Sequence, residues 1–224
     1  MRPNPGPGKF IVLEGLDGAG TTTQARLLGE HLAAYGPVWV TWEPSERPAG
    51  SLIRRILAGE ILTDARALAL LFAADRLDHL YGPEGILEHL RGGTNVVCDR
   101  YYISSLAYQT LDAPFSWVYR INSRALRPDI TIFLEVSVAE CLARIGSRQG
   151  AHKDLFEREE ALRRVRDSYY RAMEFLRARE RIQVVDGHPS IAEVAAAVWA
   201  HVFGLIDAGQ AEKCPLSSPA AFRG

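Results

Sequence analysis

The chain is poor in cysteine, and the three it has are arranged for no chemistry. Cys98, Cys141 and Cys214 are odd in number and far apart, with no C-x-x-C and no histidine at ligand spacing. That excludes a disulfide framework and a zinc finger and fits a reduced, intracellular setting. An excess of one charge is also missing: 26 Lys and Arg stand against 27 Asp and Glu, a formal net charge of -1. General nucleic-acid and membrane-surface binders carry a basic surplus, so neither kind of partner is expected. The segment Met1 to Gly8 has no apolar signal core, and the longest apolar stretch, Ile191 to Ile206, is broken by Glu193 and His201. Neither secretion nor a membrane span is implied, and the expected location is cytoplasmic. Internal repeats are absent, and none of His31, His79, His89, His152, His188 or His201 sits in a hydrolase nucleophile motif.

What is present is a regular alternation. With 224 residues and 47% hydrophobic composition, the chain can build one well-packed domain, placed at residues 1–206 with a tail at 207–224. Short β-branched runs at Phe10–Leu13, Val38–Thr41, Asn95–Cys98, Ile130–Val136 and Ile182–Val185 are separated by segments of helical period. Strands alternating with helices predict an α/β fold with a five-stranded parallel sheet covered on both faces.

The first strand runs into Gly15-Leu16-Asp17-Gly18-Ala19-Gly20-Thr21-Thr22, which matches the phosphate-loop pattern G-x-x-x-x-G-K-[ST] everywhere except at Thr21, where lysine is required. Glycines let successive backbone N–H groups turn inward around an anion, and the following helix adds its partial positive charge. Neither effect needs the lysine. Its ammonium would add a charged hydrogen bond of about 1.5–3 kcal/mol on the terminal phosphates. Another cation has to supply that charge, or activity is low. A glycine-rich turn with no ligand is the simpler alternative.

Further candidates lie downstream. Asp99 closes a strand and precedes Arg100, at the sheet end where open α/β folds bind ligands. With Thr22, Asp99 would hold magnesium or its waters, and Arg100 would face a phosphate; a plain surface ion pair is the alternative. Phe72 and Arg76 are four apart on one helix face, a ring and a fork suited to a nucleobase, although a phenylalanine there is as readily core. Ser104, Ser105, Tyr108 and Gln109 would line the same cleft, with Ser104 alternatively a helix N-cap. Arg144, Arg148, His152 and Lys153 surround Gly146 and Gly150, a short basic segment at about 146–155 that reads as a closing lid or as a solvated connection.

Together these residues resemble the thymidylate kinases, from about Phe10 to about Phe203. The matching blocks are Val12-Leu13-Glu14-Gly15-Leu16-Asp17-Gly18-Ala19-Gly20, Thr41-Trp42-Glu43-Pro44, Leu71-Phe72-Ala73-Ala74-Asp75-Arg76, Asp99-Arg100-Tyr101 leading to Ala107-Tyr108-Gln109, and Arg127-Pro128-Asp129. The resemblance implies a P-loop NTPase three-layer fold, ATP and Mg2+, dTMP as acceptor, and a homodimer. It gives the ATP phosphates to Gly15, Gly18, Ala19, Gly20, Thr21, Thr22 and Thr23, and adenine to Arg144. Asp17 would sit near the deoxyribose 3′-hydroxyl and the magnesium water shell, Phe72 would stack on thymine, and Arg76 would bond its carbonyl. Tyr108 would pack where a ribose 2′-hydroxyl clashes, Arg100 would hold the acceptor phosphate near Ser104, and Ser105 or Gln109 would finish the base edge. Gly18 stands where some members carry arginine, which points to a lid-supplied catalytic cation, Arg148 first and Lys153 second. Trp42 and Leu155 replace arginines common in relatives, so Arg47, Arg100, Arg148 and Lys153 would have to close around the phosphates. A kinase for another pyrimidine monophosphate such as dUMP, and a nucleotide-binding protein with little catalysis, remain alternatives. Because Thr21 should not touch the acceptor, Thr21→Lys is expected to leave the dTMP KM within about threefold while changing the rate constant for chemistry; a larger KM change in steady-state kinetics would contradict this placement.

Overall fold

The computed structural model describes residues 1–149 and 155–211, with side chains described except at 147–149, 155–157 and 207–211. Five strands, β1 (Phe10–Gly15), β2 (Val38–Trp42), β3 (Asn95–Asp99), β4 (Ile130–Glu135) and β5 (Ile182–Asp186), form one wholly parallel sheet in the order β2-β3-β1-β4-β5. Every residue of the central strand β1 and of its neighbour β3 is buried, as parallel strands covered on both faces require. Phe10 meets Tyr101 edge-on at 5.2 Å, so Phe10, Val12 and Glu14 share one sheet face while Ile11 and Leu13 take the other.

Nine helices are described: α1 (Thr21–Leu32), α2 (Pro48–Leu57), α3 (Ala65–Tyr81), α4 (Ile86–Arg91), α5 (Tyr102–Tyr108), α6 (Phe115–Ile121), α7 (Val138–Gln149), α8 (Leu155–Leu176) and α9 (Ile191–Ala211). Helices α1 and α9 pack against each other, α1 over β1–β3 and α9 over β5; α5 lies on β1 with α8 behind it, and α4 lies on β3. Local chemistry sets their starts. Pro48 opens α2 at a position whose N–H has no helical partner, the Asp64 carboxylate accepts from Arg66 N at 2.8 Å ahead of α3, and Ser190 with Glu193 forms a capping box ahead of α9. Helix α1 differs. Its N-cap is Gly20 at φ +97°, with no side chain bonded to the free N–H groups, which leaves them for an anion.

Several boundaries differ from the sequence expectation. Helix α7 continues through Gly146 to Gln149, so the first part of the expected lid is helical, and α9 runs to Ala211, past the start assigned to the tail. Helix α5 starts at Tyr102, so Ser104 is inside it and is not its N-cap. A separate two-stranded pairing of Arg2–Pro3 with Leu126–Arg127, absent from the sequence reading, secures the N-terminal segment. Among the described residues no helix is long and apolar enough to cross a membrane. Leu13 is fully buried in the central strand, so Leu13→Ala should cost about 2–5 kcal/mol of unfolding free energy in a urea titration.

Candidate functional site

A cavity of about 730 Å³ opens over the carboxyl ends of β1, β2 and β3. Its lining joins segments far apart in sequence: Asp17 and Thr22 from the phosphate loop and α1, Phe72 and Arg76 from α3, Asp99 and Arg100 after β3, and Ser104, Ser105, Tyr108 and Gln109 from α5 and the turn after it. The sheet connection explains the convergence, because β1 and β3 are neighbours and both release their chain at the same edge.

At the loop end, Thr22 Oγ1 donates to Asp99 Oδ2 at 2.5 Å, while Asp99 Oδ1 is buried without a partner. An unsatisfied buried carboxylate oxygen beside a hydroxyl is a donor set suited to a hard, oxygen-seeking cation, so these two residues fit magnesium. Asp99 and Arg100 form no ion pair with each other. Arg100 stands at φ +66°, its N–H bonded to Leu13 O, and its guanidinium reaches Asp17 Oδ1 at 2.7 Å, Gly15 O at 2.9 Å, Tyr169 OH at 3.1 Å and Ser104 Oγ at 3.3 Å. The left-handed backbone turns this side chain back over the phosphate loop.

Beneath it lies Glu14, which sequence reading quoted only as part of a motif. Oε1 accepts from Tyr101 N at 3.0 Å and Ser104 N at 3.1 Å; Oε2 accepts from Ser104 Oγ at 2.6 Å and Tyr169 OH at 3.1 Å. This carboxylate caps α5 from across the sheet, which is why the helix begins before Ser104. A glutamate near the end of an otherwise apolar central strand was the available signal. Tyr169 gave a weaker one: Leu162, Val165, Tyr169, Ala172 and Leu176 form the buried stripe of α8.

The opposite end of the cavity is held by buried polar contacts. Arg76 is only 2% exposed; it bonds Glu43 through Nε at 2.8 Å and Nη2 at 2.7 Å, bonds Asn122 through Nη1, and lies over the Tyr101 ring at 5.3 Å. Each terminal nitrogen retains a second N–H. Phe72 is partly buried and forms cavity wall, not central core. Ser105 Oγ and Tyr108 OH are buried without partners in the same lining, which marks them as groups that await a ligand or water. Trp42 also lines the cavity and is 45% exposed.

Other expected residues lie differently. Arg47 is outside the lining; its Nη2 donates to Pro83 O at 2.6 Å and its Nη1 approaches Asp78 at 3.5 Å, holding α2 to the turn after α3. Arg47 thus sits apart from the cavity in this arrangement. Arg144 pairs with Glu140 and donates to Ala19 O at 3.4 Å and Gly187 O at 3.0 Å, beside the phosphate loop. A side chain at Gly18, at φ +86°, would meet Cys141 O at 2.5 Å, so α7 leaves no room for a larger residue there. Arg148 belongs to α7, but its side chain, like Lys153, lies outside the described residues. One buried trio, Glu43, His79 and Cys98, brings ligand-type atoms within 4.8 Å of one another. It is already satisfied: Glu43 by Arg76, His79 by Thr41 at 2.8 Å, and Cys98 as a thiol whose pKa burial pushes well up.

Burial raises the Glu14 pKa from 4.5 to about 7, against the opposing pull of the Ser104 hydrogen bonds, the Arg100 charge and Tyr169. The folded state therefore holds the proton more tightly than the unfolded chain, and the associated stability is full below pH 4.5 and lost as pH rises through about 7. Relative to Glu14→Gln, the unaltered chain should lose about 2 kcal/mol of unfolding free energy between pH 5 and pH 7. Urea titrations at pH 5, 6 and 7 check this; a constant difference would show that Glu14 does not titrate in that interval.

The sequence profile of the family described as thymidylate kinase matches residues 13–198. A protein of Pyrococcus horikoshii named probable thymidylate kinase is 41% identical over 202 residues, covering 87% of this chain and 96% of its own. A putative thymidylate kinase of Treponema pallidum is 37% identical over 188 residues, 79% of this chain and 90% of its own. A probable thymidylate kinase of Methanocaldococcus jannaschii is 43% identical over 161 residues, 71% of this chain and 79% of its own. With the phosphate loop, the strand-end Asp99-Arg100 and the cavity between them in place, the chain belongs to the thymidylate kinase family.

Proposed function

We propose that the chain transfers the γ-phosphoryl group of ATP to dTMP by direct, in-line displacement without a covalent intermediate. The observation that carries this reading is the cavity itself: beside an uncapped phosphate-loop helix it joins a base-sized wall of Phe72, Ser105 and Tyr108 to Arg100. In this reading Phe72 stacks on the base, the free N–H groups of Arg76 with Ser105 or Gln109 bond its edge, and Tyr108 excludes a 2′-hydroxyl. Asp17, already bonded to Arg100, orients the sugar, and Arg100 holds the acceptor phosphate in line with the donor. Loop N–H groups from Gly15 to Thr23 cradle the donor phosphates, and Arg144 lies toward adenine. Thr22 and Asp99 would hold magnesium, which when bound neutralises charge shared by the transferring phosphates. The segment around 146–155 acts as the lid, with Arg148, and after it Lys153, supplying the cation that Thr21 lacks.

We read the working form as a homodimer in the cytoplasm. The half-exposed Leu70 on α3 supports an interface there, whereas Phe115 and Tyr119 of α6 are engaged with Phe175 of their own chain at 5.2 and 5.1 Å. ADP formation measured with ATP and magnesium against dTMP, dUMP, dCMP, UMP and AMP tests the function. The expected outcome is kcat/KM highest for dTMP, with dUMP about 10–200-fold lower for want of one methyl group. ATP binding without turnover on any acceptor would overturn the kinase reading, and a preference for another monophosphate would overturn the acceptor.

A further inference from the structure

Tyr169 lies on α8, outside the cavity lining, and is fully buried. Its ring packs on Phe133 at 5.1 Å and edge-on to Tyr108 at 6.1 Å. Its hydroxyl is 3.1 Å from Arg100 Nη1, 2.8 Å from Ser104 Oγ and 3.1 Å from Glu14 Oε2. A phenol that donates toward the Glu14 carboxylate keeps its lone pairs for the guanidinium N–H. Arg100 Nη1 is thereby committed to protein acceptors, Gly15 O among them, and one N–H of Nη2 to Asp17, which leaves the second N–H of Nη2. The fork is fixed in one rotation with a donor left over. Helix α8 begins at Leu155, directly after the segment read as the lid, and packs along α5.

We propose that Tyr169 is a positioning residue of the acceptor site: its hydroxyl sets the orientation in which Arg100 meets the acceptor phosphate. This rests on the reading that Arg100 holds that phosphate. The competing role is ordinary packing, in which the hydroxyl merely needs a partner because it is buried.

Tyr169→Phe keeps the ring and removes the hydroxyl. The dTMP KM and Kd should rise about tenfold, the value of one charge-assisted hydrogen bond, while the ATP KM stays within about twofold. Thymidine, which has no phosphate, should bind within about twofold of its affinity for the unaltered chain. In the double variant with Arg100→Gln, the second substitution should add nothing to the loss of dTMP affinity, because the hydroxyl acts only through the guanidinium. Equal weakening of thymidine and dTMP, additive losses, an unchanged dTMP affinity, or a Tyr169→Phe chain that does not fold would each overturn the proposal. Failure of the underlying reading looks different: Arg100→Gln alone would then leave dTMP affinity unchanged.

Discussion

A carboxylate in the middle of the molecule organises the site. Glu14 is the penultimate residue of the central strand, has no exposure to water, and takes four hydrogen bonds from the Tyr101 and Ser104 backbone and from the Ser104 and Tyr169 hydroxyls. Leaving that group unpaired would cost several kcal/mol, so its donors have little freedom to move. Those donors belong to three different elements: the turn after β3, helix α5 and helix α8. Arg100 sits inside the turn, and its left-handed backbone is anchored on one side by its own N–H to Leu13 O and on the other by Tyr101 N to Glu14. The orientation of the principal cation of the cavity thus follows from a buried carboxyl group one residue before the phosphate loop begins.

The charge distribution around the phosphates follows from that arrangement. Thr21 brings no ammonium and Trp42 no guanidinium, and Arg47 spends its donors on Pro83 O and Asp78. What remains fixed near the loop is Arg100, Arg144 bound to Ala19 O and Gly187 O, and the uncapped N-terminus of α1. Helix-terminus and loop N–H groups act at short range and cost no reorganisation, which suits ground-state binding of a triphosphate. Charge that develops on equatorial oxygens during transfer needs a cation able to approach them, and within the described residues each nearby guanidinium is already tied to protein acceptors. A lid-borne cation is what the resemblance implies for that role.

Much of this was legible in the chain. The five β-branched runs became the five strands because burial on both faces demands continuous apolar character, and the glycine spacing of the loop marked the turn into α1 correctly. Asp17, Phe72, Arg76, Asp99, Arg100 and the α5 residues were found because motif spacing encodes which strand end or helix face they occupy, and the cavity collects all of them. What spacing does not encode is partnership across the fold. Arg76 was singled out with Phe72 from one helix face, but its pairing with Glu43 and Asn122, 33 and 46 positions away, has no local signature. Ser104 looked like an N-cap because a serine before a helix usually is one; the cap comes from Glu14, 90 positions earlier. Arg47 was enlisted for its charge alone, and the α3–α4 turn that claims it is a tertiary feature.

The two ends of the cavity are built by different physics, and that difference bears on how the protein discriminates. At the base end, Arg76 is locked by a buried ion pair, a buried amide and an aromatic face, an arrangement that is expensive to desolvate and therefore tolerates few alternatives. Ser105 and Tyr108 keep buried hydroxyls unsatisfied, so an acceptor that fails to meet them, directly or through water, leaves their desolvation cost uncompensated. At the phosphate end, the contacts are backbone N–H groups and a carboxylate oxygen, which recognise charge and geometry but carry no information about the base. In the proposed reading, selectivity among monophosphates would reside in the end that holds Arg76, and the missing loop lysine would fall on the other.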